Sequence, residues 1–102
     1  MIKVKVPQKL RSGLLVYDVA LNENLHWEDS LQGCCNHRTK RIEIDPKSPF
    51  MDETFIHEKL EQINEAYSIG IEHKVIGTLA YAFAEFVYHD LGIEFDWSSI
   101  KE

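Results

Sequence analysis

The sequence predicts a small α+β domain in which an antiparallel sheet of three to four strands precedes two packed antiparallel helices. Before Pro49, apolar residues tend to alternate with polar ones, which is typical of strands that bury one face. After Pro49 they recur at spacings of three and four, which is typical of an amphipathic helix. A chain of 102 residues can bury one core but not two, so we expect a single domain over residues 1–102.

Two segments near the N-terminus have the composition of strands. Residues 2–6 alternate lysine with apolar residues up to Pro7, which predicts a strand with one buried face. Residues 14–20 are mainly apolar and fit either a buried strand or a short helix, and we interpret them as a strand. The polar, irregular stretch 21–27 then predicts a loop.

A hairpin is predicted in the middle of the chain. Residues 31–35 and 40–44 both look extended, and the polar residues 36–39 between them predict a turn. The second arm alternates cleanly until Pro46 and Pro49 end it.

The second half predicts two helices. In the first, apolar residues form a stripe at spacings of four, three and four: Ile56, Leu60, Ile63 and Tyr67. Asp52 or Thr54 can cap its start, and Gly70 marks its end.

The second helix is predicted over residues 73–91, where Gly92 stops it. We expect it to turn these apolar residues toward the first helix and the sheet: Val75, Ile76, Leu79, Ala80, Phe83, Phe86 and Val87. Residues 93–95 predict a last short extended segment, and the tail from Ser98 is expected to fray.

Charge divides the chain into two unlike halves. Residues 1–51 carry eight Lys or Arg against six Asp or Glu, a net charge of +2, whereas residues 52–102 carry three against eleven, a net charge of −8. The acidic half repels a phosphate backbone, which argues against nucleic-acid binding through it. A basic strand surface from Lys3 to Arg11, or from Arg38 to Arg41, keeps that alternative open, although a solvated face explains the same residues.

Cysteine usage and hydropathy predict a cytoplasmic protein. Cys34 and Cys35 are neighbours, so they cannot link distant parts of the chain, and we expect reduced thiols. Soft-metal binding by this pair is a weaker alternative, because neighbouring strand residues point to opposite faces. The sequence contains no apolar run near the roughly 20 residues of a membrane span, and the N-terminus lacks the apolar stretch of a signal peptide.

His57 and Glu61 are the residues best suited to bind a metal ion. These two residues lie four positions apart, so they project from the same side of a helix, beside the apolar stripe and at the edge of the core. The turn 68–72 folds the second helix back beside the first, which makes His73 a natural third ligand. Because a His₂Glu set is used by catalytic zinc sites, we predict a Zn²⁺ site at His57, Glu61 and His73.

Glu58 is the candidate catalytic residue. It is adjacent to His57 but off the ligand face, where it could act as general base toward a metal-bound water. The reaction would be metal-assisted hydrolysis, with an amide bond as the favoured target. The alternative is that Glu58, Glu61 and Glu65 form a solvated acidic face and that His73 only satisfies a backbone group at a helix N-terminus.

At this point the chain resembles a known family. The order of strands, hairpin and helices, with the segment Thr54-Phe55-Ile56-His57-Glu58, resembles the minimal zincin-like metallopeptidases of bacteriophages and prophages. So does the later segment Leu79-Ala80-x-Ala82-Phe83. The resemblance covers residues 41–90, and it implies a zincin-like fold, a zinc peptidase activity and a peptide or protein substrate.

Two positions depart from the common pattern of that family. The usual motif is His-Glu-x-x-His with a later third ligand, and this chain is similar to a His-Glu-x-x-Glu variant with Glu61 and a later His. Where many relatives have Leu-Tyr in the second helix, this chain has Phe83-Ala84, so no tyrosine there can be given a transition-state role.

The other chemically active residues have weaker patterns. His26, His37 and His89 have no partner at metal-ligand spacing, and we expect each to be exposed or hydrogen-bonded. The aromatic residues of the second helix indicate core packing or a contact between copies of the chain, so a homo-oligomer is a further expectation.

A different class of function, an interaction module that presents an acidic helical face to a basic partner protein, is the alternative to the peptidase.

Overall fold

The structure, a computed structural model, describes residues 1–25 and 32–101, and within them six strands and two α-helices. The strands are β1 (Ile2–Lys5), β2 (Lys9–Ser12), β3 (Leu15–Leu21), β4 (Gly33–Asn36), β5 (Arg41–Ile44) and β6 (Ile93–Asp96). The helices are α1 (Met51–Ala66) and α2 (His73–Glu85), and α2 continues into a π-helical turn, Phe86–Asp90. The α+β class and the helical second half are therefore confirmed.

The main sheet is mixed. Its strand order is β2-β3-β5-β4, and its outer pairs are antiparallel while the central pair, β3 with β5, is parallel. β1 and β6 form a separate two-stranded parallel sheet. The prediction of an antiparallel sheet is thus wrong, because local alternation indicates that a segment is extended but not which strand lies beside it.

The individual strand predictions have different outcomes. The hairpin is confirmed, with Cys34 opposite Glu43, and residues 14–20 are a strand as predicted. β1 exposes all four of its residues, so the predicted buried face is wrong, and the buried residue is Val6 just beyond it. β2 was not predicted, because its sequence contains one apolar residue. Two predicted boundaries lie outside the described residues: Leu31, where the first arm of the hairpin was expected to begin, and Trp27, where the loop was expected to end.

The core lies between the main sheet and α1. Its buried apolar residues come from both chain ends as well as the centre: Val6, Tyr17, Val19, Ile42, Ile44, Phe55 and Ile100. The expectation that the tail frays from Ser98 is wrong, since Ile100 is 6% exposed and the N–H of Leu21 donates to the Lys101 carbonyl at 2.9 Å. A single apolar residue at a chain end has no periodicity from which its burial could be predicted.

α1 rests on the sheet with a different face from the predicted one. Its buried residues are Phe55, Glu58 and Gln62. The predicted stripe is only half-buried at Ile56, Leu60 and Ile63 and is 60% exposed at Tyr67. α1 has two neighbours, because the sheet lies on one side of it and α2 lies on an adjacent side. The predicted stripe faces α2 and not the sheet.

A buried polar cluster fastens α1 to β2. The Gln62 side chain donates to the Leu10 carbonyl at 2.9 Å and accepts from Ser12 Oγ at 3.2 Å and Lys59 Nζ at 3.1 Å. Lys59 Nζ also donates to the Arg11 carbonyl at 2.7 Å. Both polar atoms of the Gln62 side chain therefore have partners, which removes the cost of burying an amide without hydrogen bonds.

α2 packs antiparallel against α1, as predicted. Its first residue, His73, lies beside Glu61 near the end of α1, and one turn later Gly77 lies beside the earlier residue His57. Farther on, Ala84 of α2 lines the same cavity as residues at the start of α1.

Fewer residues of α2 are buried than predicted. Ile76 and Ala80 are buried, but Val75, Phe83 and Phe86 are 46%, 48% and 47% exposed. Phe83 still lines a groove together with Ile56 and Leu60 of α1. The prediction of inward packing is wrong for Val75 and Phe86, which are exposed. Within the described residues, no helix has both the length and the apolar character needed to cross a membrane.

Candidate metal centre

Two of the predicted ligands lie one turn apart on α1. The side chains of His57 and Glu61 are 19% and 23% exposed, and His57 Nε2 lies 3.9 Å from Glu61 Oε2. This intermediate burial confirms the predicted position at the edge of the core. Their relative placement follows directly from the helix, which sets residues four apart on one side.

α1 ends in a Schellman motif that reverses the chain. The N–H of Ile69 donates to the Asn64 carbonyl at 3.2 Å, and the N–H of Ser68 donates to the Glu65 carbonyl at 3.3 Å. Ser68 takes the left-handed position of this motif, with φ 49°. The predicted terminator, Gly70, comes later in the turn with φ 79°, so the helix ends four residues before it.

The Asn64 side chain holds the returning chain. It accepts a hydrogen bond from the N–H of Ile71 at 2.9 Å and donates one to the Ile71 carbonyl at 3.0 Å. Because this pair fixes the chain two residues before α2, the first residue of α2, His73, starts beside the last turns of α1.

The three predicted ligands come together. His73 Nδ1 lies 3.1 Å from Glu61 Oε2, and the ring centroids of His57 and His73 are 4.8 Å apart. One ligand atom from each residue lies within 4.8 Å of the others, so the group could hold a metal ion. Ligand atoms around a tetrahedral ion lie about 3.4 Å apart, and the distances of 3.1 Å and 3.9 Å from Glu61 Oε2 to the two histidines are near that value. No other such group of three is found in residues 1–25 and 32–101.

The environment of His57 suits a metal ligand. Burial, and then the nearby His73, lower the pKa of His57, which favours the neutral imidazole that binds metal ions. The side chain of His73 is 76% exposed, so the group opens to water on that side. Two imidazoles and one carboxylate with an open side are a donor set that could hold a divalent metal ion.

Glu58 lies on the sheet side of α1 and is 7% exposed. Burial, and then the Glu61 carboxylate, raise the pKa of Glu58 to about 8. A Cβ atom placed on Gly33 would lie 3.0 Å from Glu58 Oε2 and 2.4 Å from Thr54 Cγ2. Glycine at position 33 therefore lets the edge strand β4 approach the helix closely.

A second polar group, which no sequence pattern predicts, lies on the sheet near Glu58. Tyr17 Oη is hydrogen-bonded to His37 Nδ1 at 2.7 Å, and Cys35 Sγ lies 3.8 Å from the same nitrogen. Burial, and then the charge of Glu58, raise the pKa of Cys35 to about 12, so its thiol stays protonated near neutral pH. No spacing rule joins residues from separate strands, so the sequence contained no signal for this group.

The remaining histidines and cysteines have the environments expected for them. Cys34 and Cys35 form no disulfide. His37 is hydrogen-bonded, and His89 is exposed beside Tyr88, with ring centroids 5.0 Å apart. His26 lies outside the described residues.

Several basic side chains of the strands are engaged in ion pairs: Lys3 with Glu94 at 3.1 Å, Lys9 with Asp18 at 2.8 Å and Arg41 with Glu43 at 3.3 Å. These pairs reduce the positive charge that the strand surface offers to a phosphate backbone.

Comparison of the chain with models of protein families, with curated proteins and with solved structures finds no match. The resemblance to zincin-like peptidases therefore stays a prediction.

Proposed function

We propose that this protein binds a zinc ion through His57, Glu61 and His73 and hydrolyses a peptide bond with Glu58 as general base. The observation that carries the proposal is the convergence of three ligand atoms within 4.8 Å. Two of these residues are half-buried on a helix, and the third is brought to them by a hydrogen-bonded turn. The helix and the turn therefore bring the backbone positions of all three residues together.

Each residue of the proposed site has a distinct role. A zinc ion held there would supply a Lewis acid, which polarises a carbonyl group and lowers the pKa of water. Glu58 follows His57 directly, and its pKa of about 8 is close to the pH at which a base exchanges protons effectively. It can accept a proton from water and deliver it to the leaving amine. The substrate class and a phage or prophage origin rest on the family resemblance alone.

Metal analysis of untagged protein tests the site. After zinc loading and dialysis, we expect about one zinc per chain in the wild type and a loss of at least about tenfold in affinity for His57→Ala. His89→Ala is the matched control, because His89 is exposed and away from the ligand group. Equal, substoichiometric zinc in the wild type and His57→Ala would refute the site.

Catalysis is tested separately with Glu58→Gln. This variant should keep its zinc and lose hydrolysis of a peptide library by about 100-fold or more, since a general base contributes on that order. Hydrolysis that survives the substitution at full rate would exclude Glu58 as the base while leaving the metal site intact.

The second candidate function is an interaction module with an acidic helical face for a basic partner protein. The exposure of Glu65 and Glu72 favours it, since both present negative charge at the same end of the helix pair. It predicts that Glu58→Gln leaves function intact, whereas charge reversal at Glu61, Glu65 and Glu72 abolishes partner binding. Binding that survives this reversal would rule the module out.

A further inference from the structure

We propose that the cavity between the start of α1, the π-helical turn and β6 binds a peptide segment through an arginine side chain. The cavity has a volume of about 570 Å³. Pockets that hold small ligands or side chains commonly measure about 300–1,000 Å³, so the space is sufficient.

The walls of the cavity are rich in aromatic rings: Phe50, Tyr81, Tyr88, Phe95 and Trp97. Phe50 and Tyr81 are each 58% exposed, and Tyr88 is 49% exposed. Large rings that stay this exposed around a concave surface offer π faces to a ligand. A guanidinium group stacks on such faces more effectively than an ammonium group does.

The charges of the cavity are all of one sign apart from a histidine. Four carboxylates line it, those of Asp52, Glu53, Glu85 and Glu94, and no lysine or arginine of the described residues does so. An anionic ligand would be repelled here, and a purely apolar ligand would leave the carboxylates of Glu53 and Glu85 without a counter-ion. A cationic ligand satisfies both the rings and the charges.

Two of the four carboxylates already have partners within the chain. Asp52 accepts hydrogen bonds from Trp97 Nε1 at 2.9 Å and from the N–H of Phe95 at 3.2 Å, which holds β6 against α1. Glu94 pairs with Lys3 at 3.1 Å. Glu53 and Glu85, from opposite helices, are the carboxylates that an incoming guanidinium would meet.

The cavity begins about one helical turn from the candidate metal ligands. Glu53 precedes His57 by four residues on α1, and Tyr81 follows Gly77 by four residues on α2, a distance of about 6 Å in each case. Gly77 itself lies beside His57, since a Cβ there would be 4.0 Å from His57 Cε1. An extended segment anchored in the cavity can therefore run past the metal ligands. That this segment is the substrate rests on the proposed function, whereas its binding does not require a metal.

Fluorescence anisotropy with two labelled peptides tests the proposal. The probes are Gly-Leu-Arg-Phe-Gly and its matched control Gly-Leu-Glu-Phe-Gly, both with blocked ends and both titrated with full-length protein in EDTA. We expect the arginine peptide to bind at least about tenfold more tightly. Equal affinity for the two peptides, or no binding of the arginine peptide, would overturn the proposal.

Substitutions locate the binding site. The pair Glu53→Gln and Glu85→Gln should together weaken binding about tenfold, and Tyr81→Leu about threefold, because each removes a partner of the guanidinium. The pair Glu65→Gln and Glu72→Gln is the matched control, since it also removes two negative charges, with Glu65 about 18 Å along α1 from Glu53, and it should change affinity less than about twofold. Equal weakening by this control pair would mean that general electrostatic attraction, and not the cavity, holds the peptide.

A zinc-loaded assay separates this proposal from the proposed function. Binding in EDTA without cleavage in zinc would keep the cavity and remove the peptidase. Cleavage of both peptides at equal rates would keep the peptidase and remove the arginine specificity.

Discussion

A carboxylate buried in α1 links the stability of the protein to the chemistry proposed for it. Glu58 is 7% exposed, and in the absence of a metal its pKa is about 8. In the unfolded chain the same group has the ordinary value of 4.5. Folding therefore takes up a proton between these two pH values, and the metal-free fold loses stability as the pH rises through this range.

Glu58→Gln should remove this pH dependence. Below pH 4.5 the wild type carries a neutral Glu58, so the two proteins should have similar free energies of unfolding there. Between pH 4.5 and 8 the variant should become the more stable one, by up to about 4 kcal/mol, because its side chain stays neutral. Urea unfolding in EDTA at pH 5 and pH 8 measures the difference, and parallel stability curves would contradict it.

Single residues also differ in how far they could be predicted. His57 and Glu61 were identified because both lie on one helix, where a spacing of four sets the direction of each side chain. Tyr17 on β3 and His37 in the turn after β4 form a 2.7 Å hydrogen bond that no spacing indicates, since only the tertiary fold brings these two segments together.

At the level of secondary-structure elements, the turn between the helices is the part that places His73. Ser68 holds the left-handed C′ position with φ 49°, where glycine is the preferred residue. The turn keeps this conformation because two backbone hydrogen bonds and the Asn64 side chain fix the chain on both sides of it.

Ser68→Gly should therefore stabilise the protein by about 0.5–1 kcal/mol, since glycine adopts positive φ without the steric cost that serine has. Thermal unfolding followed by circular dichroism measures this as a higher Tm. Ser68→Ala is the control, because alanine has the same Cβ atom, and it should give no gain. A gain of equal size for both variants would show that the backbone conformation is not the cause.

The close approach of β4 to α1 gives a second prediction about the packing of secondary-structure elements. Gly33→Ala should destabilise the protein by about 1–3 kcal/mol, because its Cβ would lie 2.4 Å from Thr54 Cγ2 and the strand would have to move. Gly77→Ala should have the opposite sign, a gain of about 0.5–1 kcal/mol, since alanine favours the helix and its Cβ meets nothing closer than 4.0 Å. Chemical denaturation of both variants compares the two, and a loss in each would contradict the packing described for Gly77.

The molecule as a whole exposes an apolar helical face. Residues 75–84 contain no charged side chain, and Val75, Phe83 and Phe86 are about half exposed. Val75, Leu79, Ala82 and Phe86 recur at spacings of four, three and four, so they share one side of α2 and its extension. A helix that is apolar on all sides is usually buried, which supports the expectation that two copies of the chain associate through this face.

Ala82→Glu should abolish that association. Ala82 is exposed at the centre of the face, so a glutamate costs little in a monomer but places a charge inside a dimer interface. Thr39→Glu adds the same charge to an exposed position in the turn between β4 and β5 and should leave association unchanged. Sedimentation velocity distinguishes these cases, and a wild type that stays monomeric at about 100 μM would contradict the expectation.

By itself, the sequence determined the α+β class, the hairpin, the presence of two helical segments and the common direction of His57 and Glu61. Each of these depends on spacing along a short stretch of chain, which the backbone geometry of helices and strands converts directly into structure. The tertiary structure alone decided that the sheet is mixed, that Glu58 and Gln62 face it, and that the C-terminal tail is packed. It also decided that His73 meets Glu61 at 3.1 Å. These features depend on contacts between distant segments, and those contacts are selected by the packing of the whole core rather than by any local pattern.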